Sequence, residues 1–281
     1  MPLWTPPGPC FQSRAANTPT NITLGASNTK SVAYAEVFDA ALVTFDAYEI
    51  HIAISNIGAN GDTRNALIDI GIDNADTGSF TTLIGNLLCG QAGSQDAGGP
   101  VNYRFPLFIK AGTQIGARGQ TNDGTNVGSV LVRMMLMGAP KYPELARPGS
   151  YVTTFGADTS TSAGTAFTPG NSLAEGSYAD LSGADTTLPY WYWEYGVNCG
   201  DSIMQNLAYY IDLGIGDGSN KFNCIENAFI QTDSNESILK APLAGQMGYY
   251  EAPAGVRPYG RGTSSGTTDT TWTMAAYGVG G

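Results

Sequence analysis

Histidine is nearly missing from this chain: His51 is the single one in 281 residues. Any Ser–His–Asp or Cys–His arrangement would have to use it, yet it lies mid-strand in "AYEIHIAISNI" beside no nucleophile. An outward-facing strand histidine is the expectation, with no catalytic residue. Cysteine is scarce as well. Cys10, Cys89, Cys199 and Cys224 form no CxxC pair, so metal sites built on His and Cys are excluded in practice. Four free thiols kept reduced in a cytosol are expected. Charge is sparse, at 13% of residues, and the formal net charge of −11 comes with no Lys/Arg cluster, which argues against nucleic acid as a partner. No apolar run approaches the ~20 residues of a membrane span. The start "MPLWTPPGPCF" lacks the basic and apolar regions of a signal peptide. Neither a P-loop nor a dinucleotide fingerprint is present, so no cofactor is expected. No long window shows a helical period.

What the chain does have is repetition. "IDIGI" (Ile68 to Ile72) returns as "IDLGI" (Ile211 to Ile215), 143 residues on. "AGTQIGARG" from Ala111 returns as "AGVRPYGRG" from Ala254 at the same offset, which carried onward sets Gly138 on Gly281. Repeats decide architecture, and this pair implies a tandem duplication. Four segments follow: an extended arm and lead-in over 1–30, a first domain over 31–138, a Pro-rich linker over 139–149 and a second domain over 150–281. At this offset Cys89 matches Thr232 and Cys224 matches Thr81, so no disulfide framework is duplicated.

Inside each copy the period is two. Ile50, Ile52 and Ile54 alternate with Glu49, His51 and Ala53, and in "ALIDIGI" Asp69 and Gly71 oppose the isoleucines. Gly-, Asn- and Asp-rich turns separate such runs; "GNLLCG" and "ENAFI" fit a short strand or a helical turn equally. Many short strands without crossover helices predict an all-β chain of two tandem antiparallel, jelly-roll-like sandwiches.

Few residues suggest chemistry. Asp69 and Asp212 recur, as do Arg118 and Arg261, each on the face opposite the apolar set. They could form a polar binding site present twice; the simpler reading is a structural cross-strand ion pair on a solvent-facing sheet. Loop acids Asp73, Asp76 and Asp123 have no acidic counterparts in the second copy, so nothing favours a glycosidase-like carboxylate pair. "DNADTG" resembles a calcium loop superficially but lacks the ligand spacing and closing Glu of an EF-hand. The aromatic run "YWYWEY" (Tyr190 to Tyr195) is the strongest surface signal. By parity with the first copy, Trp191, Trp193 and Tyr195 point into the core. Tyr190, Tyr192 and Glu194 then face outward to a contact that the first copy lacks: a glycan, another subunit or the other domain.

The closing stretches "FIKAGTQIGARGQTNDGTNVGSVLVRMMLMG" and "EAPAGVRPYGRGTSSGTTDTTWTMAAYGVGG" share an AGxxxxxRG strand, a polar turn and a final strand. This pattern resembles accessory virion proteins of tailed bacteriophages. The resemblance implies a non-enzymatic protein decorating or stabilising a capsid or particle surface. It would be assembled in the host cytoplasm, with copies of itself (a homotrimer) and a major capsid or tail protein as partners. A carbohydrate-binding or host-adhesion module, with host glycan as partner, is the alternative.

Overall fold

The computed structural model describes residues 10–12, 19–55, 64–91, 101–122, 129–139, 146–158, 164–198, 208–231, 239–240, 248–266 and 272–281. The first half contributes β1 (Cys10–Gln12), β2 (Thr20–Thr23), β3 (Ala35–Phe38), β4 (Ala47–Ser55), β5 (Arg64–Asp73), β6 (Thr81–Gln91), β7 (Val101–Phe105), β8 (Gln114–Thr121) and β9 (Ser129–Gly138). The second contributes β10 (Tyr151–Phe155), β11 (Thr165–Phe167), β12 (Ala179–Asp180), β13 (Tyr190–Asn198), β14 (Ala208–Gly216), β15 (Lys221–Gln231), β16 (Leu239–Lys240), β17 (Gly248–Ala252), β18 (Arg257–Ser264) and β19 (Trp272–Gly280). One 3-10 turn, Ala40–Leu42, is capped by the Asp39 carboxylate. "GNLLCG" and "ENAFI", ambiguous in sequence, lie within β6 and β15.

Each half is a jelly roll. One sheet of the first half runs β1-β9-β4-β7, with β2 also on β9, and the facing sheet runs β3-β8-β5-β6. The second half repeats the plan as β10-β19-β13-β16, with β11 on β19 and β17 on β13, facing β12-β18-β14-β15. Among the described residues every strand ladder is antiparallel.

Register refines the offset. Asp69 opposite Arg118 becomes Asp212 opposite Arg261, 143 apart in both strands. Ile68 opposite Leu87 becomes Ile211 opposite Ala228, so β6 maps to β15 at 141. Ile52 opposite Met134 becomes Tyr195 opposite Ala276, so β9 maps to β19 at 142. A constant 143 is therefore too simple. Gly138 matches Gly280 in place of Gly281, Cys89 matches Ile230, and Cys224 matches Leu83, because loops between strands changed length by one or two residues.

The expected lead-in also changes. β1 and β2 pair with β9, and Ile22 and Leu24 are buried, so residues 20–24 belong to the first sandwich. Residues 1–9, 13–18 and 140–145 lie outside the described residues. At the end of the expected linker, Gly149 is tied to the first half: its N–H donates to the Pro106 carbonyl at 2.7 Å and its carbonyl accepts from Phe108 N–H at 3.0 Å.

The second half fills its sandwich with Trp193, Tyr195, Ile211, Leu213, Trp272 and Met274. The first half builds on Ile50, Ile52, Ile68, Ile70, Ile84 and Leu136, and its cluster continues into the other half through Trp191, Tyr192, Ala275, Tyr277 and Val279. The β10-β19-β13 sheet is thus covered on both faces.

Candidate functional site

The repeated motif builds one cluster in each half. In the first, Asp69 is 1% exposed and accepts from Lys30 Nζ at 2.5 Å, Arg118 Nε at 3.2 Å and Asn86 N–H at 2.9 Å. The Arg118 guanidinium lies 4.6 Å from the centroid of the Tyr34 ring. A Cβ on Gly71 would sit 2.6 Å from that ring, so the glycine of "IDIGI" makes room for the tyrosine. In the second half Asp212 accepts from Arg261 at 2.8 Å, Asn223 Nδ2 at 3.1 Å and Asn227 N–H at 2.7 Å. Arg261 stacks 4.4 Å from the Tyr178 centroid, and a Gly214 Cβ would meet that ring at 2.9 Å. Asn86 and Asn227 both take a left-handed φ of 55° at a β-bulge, which aims each N–H at the carboxylate.

The sequence paired each Asp with its Arg but placed them on a solvent-facing sheet. The carboxylates are buried, because Tyr34 and Tyr178, which the sequence reading did not single out, roof the pair. One position differs. Ser31 and Gly176 donate equivalent bonds to Gly119 and Gly262, which aligns Lys30 with Glu175. Lys30 is a second cation on Asp69, whereas Glu175 is a second anion on Arg261, at 3.2 Å. Burial together with the Asp212 and Glu226 charges pushes the Glu175 carboxyl up, against Arg261.

The aromatic run requires a correction. Tyr190, Tyr192 and Glu194 were expected to face outward; they are 3%, 1% and 1% exposed. Alternation breaks where the β13–β17 register shifts, between Tyr190 and Tyr192, so Tyr190 joins Trp193 inside the second sandwich while Trp191 and Tyr192 turn to the first half. Of the contacts open to this strand, the other domain is the one made.

That seam is specific. Tyr192 Oη donates to the Arg104 carbonyl at 2.7 Å and stands 2.6 Å from Glu194 Oε2. Tyr277 Oη accepts from Leu88 N–H at 2.8 Å, and Asn86 Nδ2 donates to the Ala157 carbonyl at 2.8 Å. Burial pushes the Glu194 carboxyl up to about 8, against the pull of Tyr192 and Arg104. Beside it, Glu49 is also pulled up by burial, but hydrogen bonds from His51 and Arg104 outweigh this and hold it below the usual range. His51, on the strand's outer side as expected, is spent on Glu49.

Two further places gather polar side chains. Asp73 of "DNADTG" accepts from the N–H groups of Ala75, Thr77 and Ser79, an ordinary turn that lowers its pKa. Asp123 lies outside the described residues. Among the described residues no group of three or more His, Cys, Asp or Glu side chains is placed to hold a metal, and no helix is long and apolar enough to cross a membrane. A shallow cleft of about 350 Å³ lies between Arg147, Tyr151, Trp191 and Glu251. Arg147 bridges to Glu251 and covers the Trp191 ring, 5.6 Å from its centroid.

No family model and no curated protein matches the chain. Several solved structures are similar over nearly its whole length. The STIV MCP is 9% identical with a TM-score of 0.38, over 97% of this chain and 96% of that one. PNGase F, a glycosylasparaginase from Flavobacterium meningosepticum, is 10% identical with a TM-score of 0.37, over 97% and 96%. The CBM22-1-CBM22-2 tandem domain of Paenibacillus barcinonensis Xyn10C is 8% identical with a TM-score of 0.29, over 96% and 92%.

Proposed function

We propose that this chain is a non-enzymatic structural protein that decorates or stabilises the surface of a phage particle. The observation behind this reading is where the polar chemistry goes. Asp69 and Asp212 anchor β-bulges and neighbouring strands, His51 holds Glu49, and the aromatic run closes a seam between two sandwiches. Side chains that could have served a reaction serve cohesion, which suits a building block. The experiment is direct. Particles banded on a density gradient should contain the chain in stoichiometric amounts, detected by mass spectrometry, and particles lacking it should lose heat or chelator resistance. Absence from washed particles sinks the proposal.

The cleft favours a second reading, host-glycan adhesion. The Tyr151 ring beside the Arg147–Glu251 pair combines stacking surface with hydrogen-bonding groups. Saturable binding on a glycan array, lost in Arg147→Ala, is the outcome that reading requires.

A further inference from the structure

The seam inside the chain joins two unlike surfaces. One is the side of the first sandwich bounded by the edge strands β6 and β7; the other is the outer face of β13 and β19. Because the chain repeats, each surface has a counterpart that the seam does not use. The counterpart of β6 is β15, likewise the last strand of its sheet. At the 141 offset Leu88, fully buried under the seam, becomes Phe229, which is 41% exposed. Gly85 becomes the exposed Glu226, and Phe222 on the same strand is 61% exposed. The counterpart of the β13–β19 face is the outer face of β4 and β9. There Tyr277 becomes Met135, Val279 becomes Met137, Glu194 becomes His51 and Ala275 becomes Arg133, all partly exposed. The Arg133 Nε is buried with no hydrogen-bond partner among the described residues.

We infer that chains associate head to tail, the outer β4–β9 face of one copy seating on the β15 edge of the next and repeating between molecules the seam within each. This deepens the building-block reading and rests on it for its purpose. Three observations point to a second copy as the occupant. The interface is already made once in the chain, by homologous strands. Phe229 is an exposed aromatic on a strand whose outer edge carries no further strand among the described residues, and flexible methionines face it from the other surface. Charge also matches, since Glu226 can meet Arg133. The surfaces are heterologous, so the assembly closes into a ring or extends according to the rotation between halves. Ala53 stands where the inner seam has Gly196, whose Cβ would lie 2.5 Å from Tyr103 Oη, so the contact between chains is looser than the one within.

The test uses the full chain. Analytical ultracentrifugation should show concentration-dependent association, weakened at least tenfold by Phe229→Asp with an unchanged melting temperature. Arg133→Glu should weaken it similarly, and adding Glu226→Arg should restore it. Mixing Met135→Cys chains with Phe229→Cys chains should give a disulfide-linked dimer that neither gives alone, since these positions correspond to Tyr277 and Leu88 in the inner seam. A chain that stays monomeric at millimolar concentration, or associates undisturbed by Phe229→Asp, overturns the inference. Incorporation of such a monomer into particles would leave the structural reading standing, whereas head-to-tail association by a chain absent from particles would do the reverse.

Discussion

β4 and β13 occupy the same place in their two jelly rolls and are written differently. "AYEIHIAIS" alternates, and its even-numbered isoleucines are buried while Glu49, His51, Ala53 and Ser55 are partly exposed. "YWYWEYGVN" does not alternate, and residues 190–197 are all buried. A strand with one covered face keeps the period of two; a strand covered on both becomes continuously apolar. The run was therefore a sign of burial from two sides. The pair Glu194 and His51 sharpens this, since Glu194 lies inside the seam and His51 at the rim of an open face.

The largest effect is expected from that buried acid. With its pKa raised to about 8, Glu194 holds a proton in the folded chain that the unfolded chain releases above the ordinary carboxylate value. Stability should be full below that value and fall as pH rises through about 8, with a slope approaching ~1.4 kcal/mol per pH unit for one proton. Glu194→Gln should flatten urea-derived stability between pH 5 and 9, while His51→Gln should leave the slope intact. An unchanged slope in Glu194→Gln would mean that the acid lies in water.

Next come the two arginines. Removing Arg261 leaves the buried Asp212 with only the neutral donors Asn223 and Asn227, a loss of about 3 kcal/mol. Removing Arg118 leaves Lys30 on Asp69, and roughly half that loss is expected. Equal losses in chemical denaturation of Arg261→Ala and Arg118→Ala would show Lys30 to be idle. Of similar size to the Arg118 loss is the glycine at the seam. Gly196→Ala should cost about 1–3 kcal/mol, because its Cβ meets Tyr103 Oη and the Leu88 Cβ, while Ala53→Gly in β4 should cost below ~1 kcal/mol.

How far the sequence could be read depends on which signals are local. Period two gave the strands, and the near-identical "IDIGI" and "IDLGI" gave the two sandwiches, since a face pattern survives duplication. Asp69 was paired with Arg118 for the same reason. Its burial was not legible, because Tyr34 is 35 residues away and reaches over Gly71 only in the folded sheet. Lys30 against Glu175 was hidden by a drift of two residues in the offset. Tyr190 was misassigned because parity counting assumes an unbroken ladder, and the register shift beside it violates that assumption. The destination of Tyr192 depended on how two domains dock, which no strand encodes by itself.

The smallest expected effect is at the position where the duplicated clusters carry opposite charge. Glu175 is 42% exposed and pairs with Arg261, whose buried carboxylate partner is already Asp212. An ion pair in that setting contributes below ~1 kcal/mol and is screened by salt. Lys30 is less exposed, at 26%, and bonds directly to a carboxylate that is 1% exposed, so its charge cannot be replaced by water as readily. Thermal melts of Glu175→Gln and Lys30→Gln at low and high salt should therefore diverge. The first should lie within ~0.5 kcal/mol of wild type at low salt and coincide with it in 0.5 M salt. The second should remain destabilised at both, because the partner it deserts is buried and the screening ions do not reach it. If both variants behave alike, the Lys30–Asp69 contact is a surface pair, and the two clusters differ in sequence without differing in energy.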